Sequence, residues 1–241
     1  YRPDNAALIV VGDFDQKQLD AWVDKYFGNI ERPKTPIRRV NIVEPERAKE
    51  MRFVKTAPNV PLPALAITYH APPAKSPDVP ALEVAQTILS SGESSRLYES
   101  LIRSQQIASD ANFYADIRQD KGLLILYAIA SEGKNLEDIE KSLLAEITKM
   151  QNSPVSAREL EKAKNKMITN ILRERETNVG KANAIGRAVI FQDNANTVNT
   201  DIQKLQAVTA ADVQRVMKKY FRDNNRVVIY YKNEEAKEEA K

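Results

Sequence analysis

The sequence predicts an α+β fold, with one mainly antiparallel sheet packed against several helices. Three observations carry that expectation. Short apolar or alternating runs bounded by Pro and Gly recur in the first half and return at the end. Longer segments with apolar residues at helical spacing fill the rest. After Pro80 the only proline is Pro154, so little interrupts the helical second half.

Taken in order, Asn5 to Phe14 is apolar and β-branched and stops at Gly12-Asp13. It reads as a strand buried on both faces. Asp15 is placed to cap a helix whose stripe is Leu19, Trp22, Val23 and Tyr26, with Gly28 as its stop. Residues 31–50 are polar with three prolines and read as a linker. Strands are expected at Met51–Lys55 and Ala64–Tyr69. A proline-rich crossing then leads to a helix with Pro80 in its first turn and Leu82, Ala85, Ile88 and Leu89 buried.

Ser90-Ser91-Gly92 ends that helix, and Ser94 or Ser95 caps the next, with Leu97, Tyr98, Leu101 and Ile102 inward. Ala111, Phe113 and Ala115 alternate with Asp110, Asn112, Tyr114 and Asp116, a strand with one polar face. Gly122–Ala130 is apolar on both faces and reads as a central strand. Helices follow near 135–152, 156–176, 178–193, 197–207 and 209–220, with Ser156/Glu159 and Asn135/Asp138 as N-terminal caps. Asn225–Tyr231 closes the fold as a strand, and 233–241 reads as a disordered tail.

The chain has 241 residues, 42% hydrophobic and 29% charged, with 36 Lys and Arg against 33 Asp and Glu. The two signs are interspersed, and no basic stripe with aromatics points to nucleic acid. Cys is absent and His70 is the only histidine. That excludes thiolate metal sites and cannot supply an ordinary catalytic zinc set. No run approaches the roughly 20 apolar residues of a membrane span. The chain opens at Tyr1, without Met, just before a strand, and reads as a piece of a longer protein.

An internal match supports that reading. Tyr1-Arg-Pro-Asp-Asn-Ala-Ala-Leu-Ile-Val-Val sets against Tyr220-Phe-Arg-Asp-Asn-Asn-Arg-Val-Val-Ile-Tyr without gaps. The same kind of unit would then end twice, first at the very start of this chain.

No complete catalytic constellation emerges. His70 is a polar strand end before it is a ligand or base. Gly92 stands alone, so no phosphate-binding fingerprint is met. Arg96 and Arg103 lie seven residues apart on one helical face and could offer two cations to a peptide carbonyl or carboxylate. The plainer alternative pairs Glu99 with Arg103 at i,i+4. Asp110 and Asp116 could support acid–base chemistry, or could simply be solvated or border a cavity.

Three stretches together resemble the pitrilysin (insulinase) family of zinc peptidases, in its bacterial branch of half-length subunits. They are YRPDNAALIVVGDFDQKQLDAWVDKYFG, SSRLYESLIR and VTAADVQRVMKKYFRDNNRVVIYY. The resemblance implies a processing-peptidase-like metallohydrolase fold made of two homologous domains. One carries a His-x-x-Glu-His zinc motif; the other is metal-free and helps enclose a chamber for unfolded peptide. This chain lacks the motif. It resembles the metal-free second domain at 51–232, preceded by the last strand and helix of the first at 1–30.

Zinc is thus implied for the intact parent and no cofactor for this chain. The expected partners are the zinc-bearing domain, a homologous subunit and unfolded peptide, in bacterial periplasm or cytoplasm. Arg103 is the position carried over for peptide contact, with Arg96 beside it. The Tyr that often follows seven residues on is absent, since Asp110 and Ser109 stand there. The competing readings are a purely structural subunit of the same fold, as in respiratory-complex core proteins, and an unrelated binding module.

Overall fold

The computed structural model describes residues 2–39 and 43–234. The expectations for 40–42 and for all but the first two residues of the tail at 233–241 fall outside the described residues; Asn233, expected in that tail, is instead the last residue of a strand, held by its ladder.

In chain order the helices and strands are α1 (Gln16–Phe27), β1 (Met51–Ala57), β2 (Ala64–His70), α2 (Val79–Ser90), a π-helix (Tyr98–Ser104), β3 (Ala108–Asp116), β4 (Leu123–Ala130), α3 (Leu136–Asn152), α4 (Ala157–Glu174), α5 (Asn178–Gln192), α6 (Asp201–Ala207), α7 (Ala210–Tyr220) and β5 (Val227–Asn233). Short 3-10 turns lie at Pro3–Asn5, Ala195–Asn199 and Asp223–Asn225.

The five strands form one sheet in the order β1-β5-β2-β4-β3. Only β1 and β5 run parallel; the other pairs are antiparallel. Alternation along the strands sends Leu65, Ile67 and Tyr69 of β2, Ala111 and Phe113 of β3, and Leu124, Leu126 and Ala128 of β4 to one face, all buried. Leu82, Val84, Ala85 and Leu89 of α2, Ile139, Leu143 and Ile147 of α3, and Val213, Val216 and Met217 of α7 are buried with them. Each fully buried Leu, Ile or Val contributes about 1.5–3 kcal/mol, so this layer holds the unit together.

Local chemistry places the helices. Asp15 Oδ1 accepts from Gln18 N–H at 2.8 Å and starts α1. Ser156 and Glu159 exchange bonds of 3.2 and 3.1 Å ahead of α4. Thr209 and Asp212 form a capping box before α7 that the sequence reading missed, although Thr-x-x-Asp is its signature.

Residue contacts divide the chain into two compact units, one from 1–44 with 169–201, the other from 45–168 with 202–241. The second contains the sheet and its helices. In the first, Ala188 is the only buried one among the described residues. Its segment 6–11 is extended but belongs to no strand ladder, and Leu8 is 62% exposed. The strand expected at Asn5–Phe14, buried on both faces, is therefore corrected. Burial on two faces requires neighbouring strands, and no described residue pairs with this segment. Its Ile9 does pack on Gly186 of α5, where a Cβ would meet Ile9 Cδ1 at 3.3 Å.

β4 lies between β2 and β3, an interior strand as its sequence predicts. Its sequence is apolar throughout, yet only alternate residues are buried. Tyr127 is 36% exposed and Ile125 and Ile129 are intermediate, because the helices cover one face of the sheet.

Candidate functional site

The Ser90–Ser95 turn is clasped by α4. Lys166 Nζ donates to the Ser91 carbonyl at 2.8 Å, and Lys162 Nζ bonds Ser94 Oγ. Gly92 sits at φ +89°, a backbone conformation that side-chain-bearing residues rarely adopt, and a Cβ there would stand 3.2 Å from Lys166 Nζ. Arg96 continues the clasp, its guanidinium donating to both Glu159 oxygens at 2.9 and 3.1 Å. Those bonds hold the Glu159 carboxyl below its ordinary range.

Beyond Arg96 the helix widens into a π-helix, with Gln105 N–H reaching the Ser100 carbonyl at 3.1 Å. Changing the helical period rotates later side chains away from the expected face. Arg103 is accordingly exposed and pairs with Glu99 at 2.9 Å. Arg96 and Arg103 thus have different surroundings, one pinned against α4 and the other in solvent.

The second feature is the face of the sheet that α2, α3 and α7 leave open. Register places Phe53 beside Ile229, Ile229 beside Ala66, Ala66 beside Tyr127 and Tyr127 beside Asn112. This row crosses all five strands. Tyr231 and Tyr114 flank it, both exposed. Asn112 Nδ2 donates to Asp110 Oδ1 at 2.6 Å and to Tyr127 Oη at 3.2 Å. Burial raises the Tyr127 hydroxyl, and the nearby Asp110 charge adds to that. Asp116 pairs with Arg118 at 2.6 Å. The result is an aromatic and aliphatic surface with a polar rim along β3. It suits an extended chain with mixed side chains better than a compact polar ligand.

Sequence reasoning found the polar residues of β3 but missed Phe53, Tyr127 and Tyr231. One signal was available: Tyr127 interrupts an otherwise aliphatic β4.

The donor set does not suit a zinc ion. His70 is buried at the end of β2, its backbone N–H donating to Asn225 Oδ1 at 3.5 Å. Among the described residues no group of three His, Cys, Asp or Glu could hold a metal. No helix among them is long and apolar enough to cross a membrane.

Comparison with known proteins gives the family and the fold. Residues 1–167 match the peptidase M16 inactive domain family. The zinc protease PqqE of Helicobacter pylori is 24% identical over 233 residues, covering 96% of this chain and 52% of its own length. The mitochondrial-processing peptidase subunit beta of Lentinula edodes is 25% identical over 246 residues, covering 97% and 52%. The crystal structure of a protease from Helicobacter pylori superposes with a TM-score of 0.87 at 22% identity, over 92% of this chain and 54% of that one. The chain spans about half the length of the curated relatives it matches.

Proposed function

Because the chain belongs to the peptidase M16 inactive domain family, we propose that it serves as the metal-free half of a zinc metallopeptidase. In this reading its open sheet face walls a chamber for unfolded peptide. Zinc and the groups that activate water on it would reside in the other half. This chain supplies surface, not reacting atoms.

The observation that carries the reading is the one-sided sheet. A five-stranded sheet with helices on one face leaves a row of apolar and aromatic side chains exposed on the other. A surface of that kind holds peptide in extended form without selecting a single sequence. Arg103, exposed at the end of the π-helix and paired with Glu99, is proposed as a further contact for such a peptide. Arg96 acts indirectly, by fixing the turn that precedes it.

We assign residues 1–30 to the last strand and helix of a preceding homologous domain, with 31–50 as linker. Two observations support this. The turns at Pro3–Asn5 and Asp223–Asn225 are both 3-10 and both lead into extended backbone, at Ala6 and Arg226, one residue out of step with the gapless match. Among the described residues up to 30 none is buried, although α1 carries an apolar stripe that a folded domain would cover.

The test is zinc content and cleavage of a fluorogenic unfolded peptide, measured on this chain alone and after mixing with the zinc-bearing half. The chain alone is expected to hold no stoichiometric zinc and to cleave nothing, while the mixture cleaves. Stoichiometric zinc with turnover by the chain alone overturns the proposal. A mixture that binds peptide without cleaving it moves the protein to the class of structural subunits.

A further inference from the structure

The two edges of the sheet are treated differently. On the outer edge of β3, Ser90 Oγ donates to the Phe113 carbonyl at 2.9 Å, and Ala115 N–H donates to Gln86 Oε1 at 3.0 Å. Side chains of α2 thus occupy backbone groups that another strand would need. Such capping is how proteins block edge-to-edge pairing.

On the opposite edge nothing comparable is present among the described residues. Met51 N–H donates to the Arg226 carbonyl at 3.0 Å, and Met51 stands opposite Val227 in a parallel ladder. That parity aims the backbone of Met51, Phe53, Lys55 and Ala57 at β5. It aims the N–H and C=O groups of Arg52, Val54 and Thr56 away from the sheet. β1 has no second neighbour among the described residues, and its first six residues are all exposed.

We infer that β1 is a docking edge for an extended peptide, which adds to the sheet as a sixth strand along Arg52, Val54 and Thr56. The inference rests on the peptide-wall reading and deepens it by naming where the backbone is gripped. Main-chain bonds would supply affinity, and alternate side chains would supply preference. Phe53 and Lys55 lie on the open face two residues apart. Lys55 makes no ion pair among the described residues, whereas Arg52 is already held by Glu140 at 3.0 and 2.5 Å. The favoured occupant therefore carries an apolar side chain next to Phe53. Two residues away, next to Lys55, it carries an acidic side chain or a terminal carboxylate. A second copy of β1 fits less well, since Met51–Ala57 carries two cations and no carboxylate, and like charges oppose pairing.

The experiment uses the 241-residue chain and a labelled eight-residue peptide with phenylalanine and glutamate two residues apart. Controls are the same peptide N-methylated at its bonding positions and a version with lysine for glutamate. Binding is read by fluorescence anisotropy, and the contact by amide hydrogen exchange.

The expected result is slowing by at least about tenfold at the Arg52, Val54 and Thr56 amides, with loss of binding on N-methylation. Val54→Pro removes only an outward N–H and should weaken binding by about tenfold or more without changing circular dichroism. Lys55→Glu should reverse the preference between the glutamate and lysine peptides, which keeps the test decisive if Val54→Pro misfolds. Peptide that protects only β4 and leaves Val54→Pro unaffected overturns the edge assignment while the wall reading stands. No binding of any peptide at about 1 mM overturns both. Protection of β1 that grows with protein concentration, without peptide, assigns the edge to a second copy and overturns the inference.

Discussion

The Tyr220 hydroxyl donates to Asp78 Oδ2 at 2.7 Å, joining the end of α7 to the residue that precedes α2. Lys219 Nζ reaches the same oxygen at 2.7 Å, and Arg215 Nη1 donates to Oδ1 at 2.5 Å. Asp78 is 4% exposed. Burial alone would raise its carboxyl, but the Lys219, Tyr220 and Arg215 donors outweigh it and hold the group at about 2.

A pH dependence follows from that balance. The folded carboxyl lies below its unfolded value of 3.8. Its contribution, about 2 kcal/mol, is therefore complete above pH 4 and lost as pH falls towards 2. Urea titrations at pH 6 and pH 2.5 should differ by about 1.5 kcal/mol more in the parent chain than in Asp78→Asn. The variant itself should lose about 2–3 kcal/mol at pH 6, because Arg215 and Lys219 are half exposed and rehydrate readily.

Phe221 is the aromatic hub of the core. Its ring lies 4.9 Å from Tyr69 and 5.5 Å from Phe113, and it is 3% exposed. Phe221→Ala should cost about 3–5 kcal/mol, measured by chemical denaturation. Phe221→Leu should recover more than half of that.

Tyr69 reports the same core by its titration. Burial pushes its hydroxyl up to about 12, whereas an ordinary tyrosine ionises near 10. The raised folded value means its stabilising share is whole below pH 10 and disappears as pH rises through 12. A spectrophotometric titration should show Tyr69 ionising late, with unfolding, alongside Tyr230, which burial and its bond to Glu140 also raise. A Tyr69→Phe variant should show a smaller late component.

The capped edge of β3 can be opened deliberately. Replacing Gln86 and Ser90 together by Ala frees the Phe113 carbonyl and the Ala115 N–H. Stability should fall by about 1–3 kcal/mol. Sedimentation velocity should show concentration-dependent association that the parent chain lacks.

Much of the fold was legible in the sequence, for identifiable reasons. Helix caps at Asp15, Asn135 and Ser156 depend on bonds within three residues, so local sequence specifies them. The buried stripe of α2 follows from its spacing. The candidate site was harder to read. Arg96 and Arg103 share a face in an α-helix, but the π-helix between Tyr98 and Ser104 breaks that period, and no residue pattern announced it. Tyr127 and Phe53 were obscure because an apolar strand looks alike whether helices cover one face or two.

By itself the sequence determined the α+β class, most helices and strands of the sheet-bearing unit and the caps at Asp15, Asn135 and Ser156. All of these rest on composition or on contacts between near neighbours. Tertiary structure decided which face of the sheet stays open, which edge is capped by Gln86 and Ser90, and that residues 6–11 find no partner strand among the described residues. Those outcomes depend on groups brought together from distant parts of the chain, whose positions no local periodicity encodes.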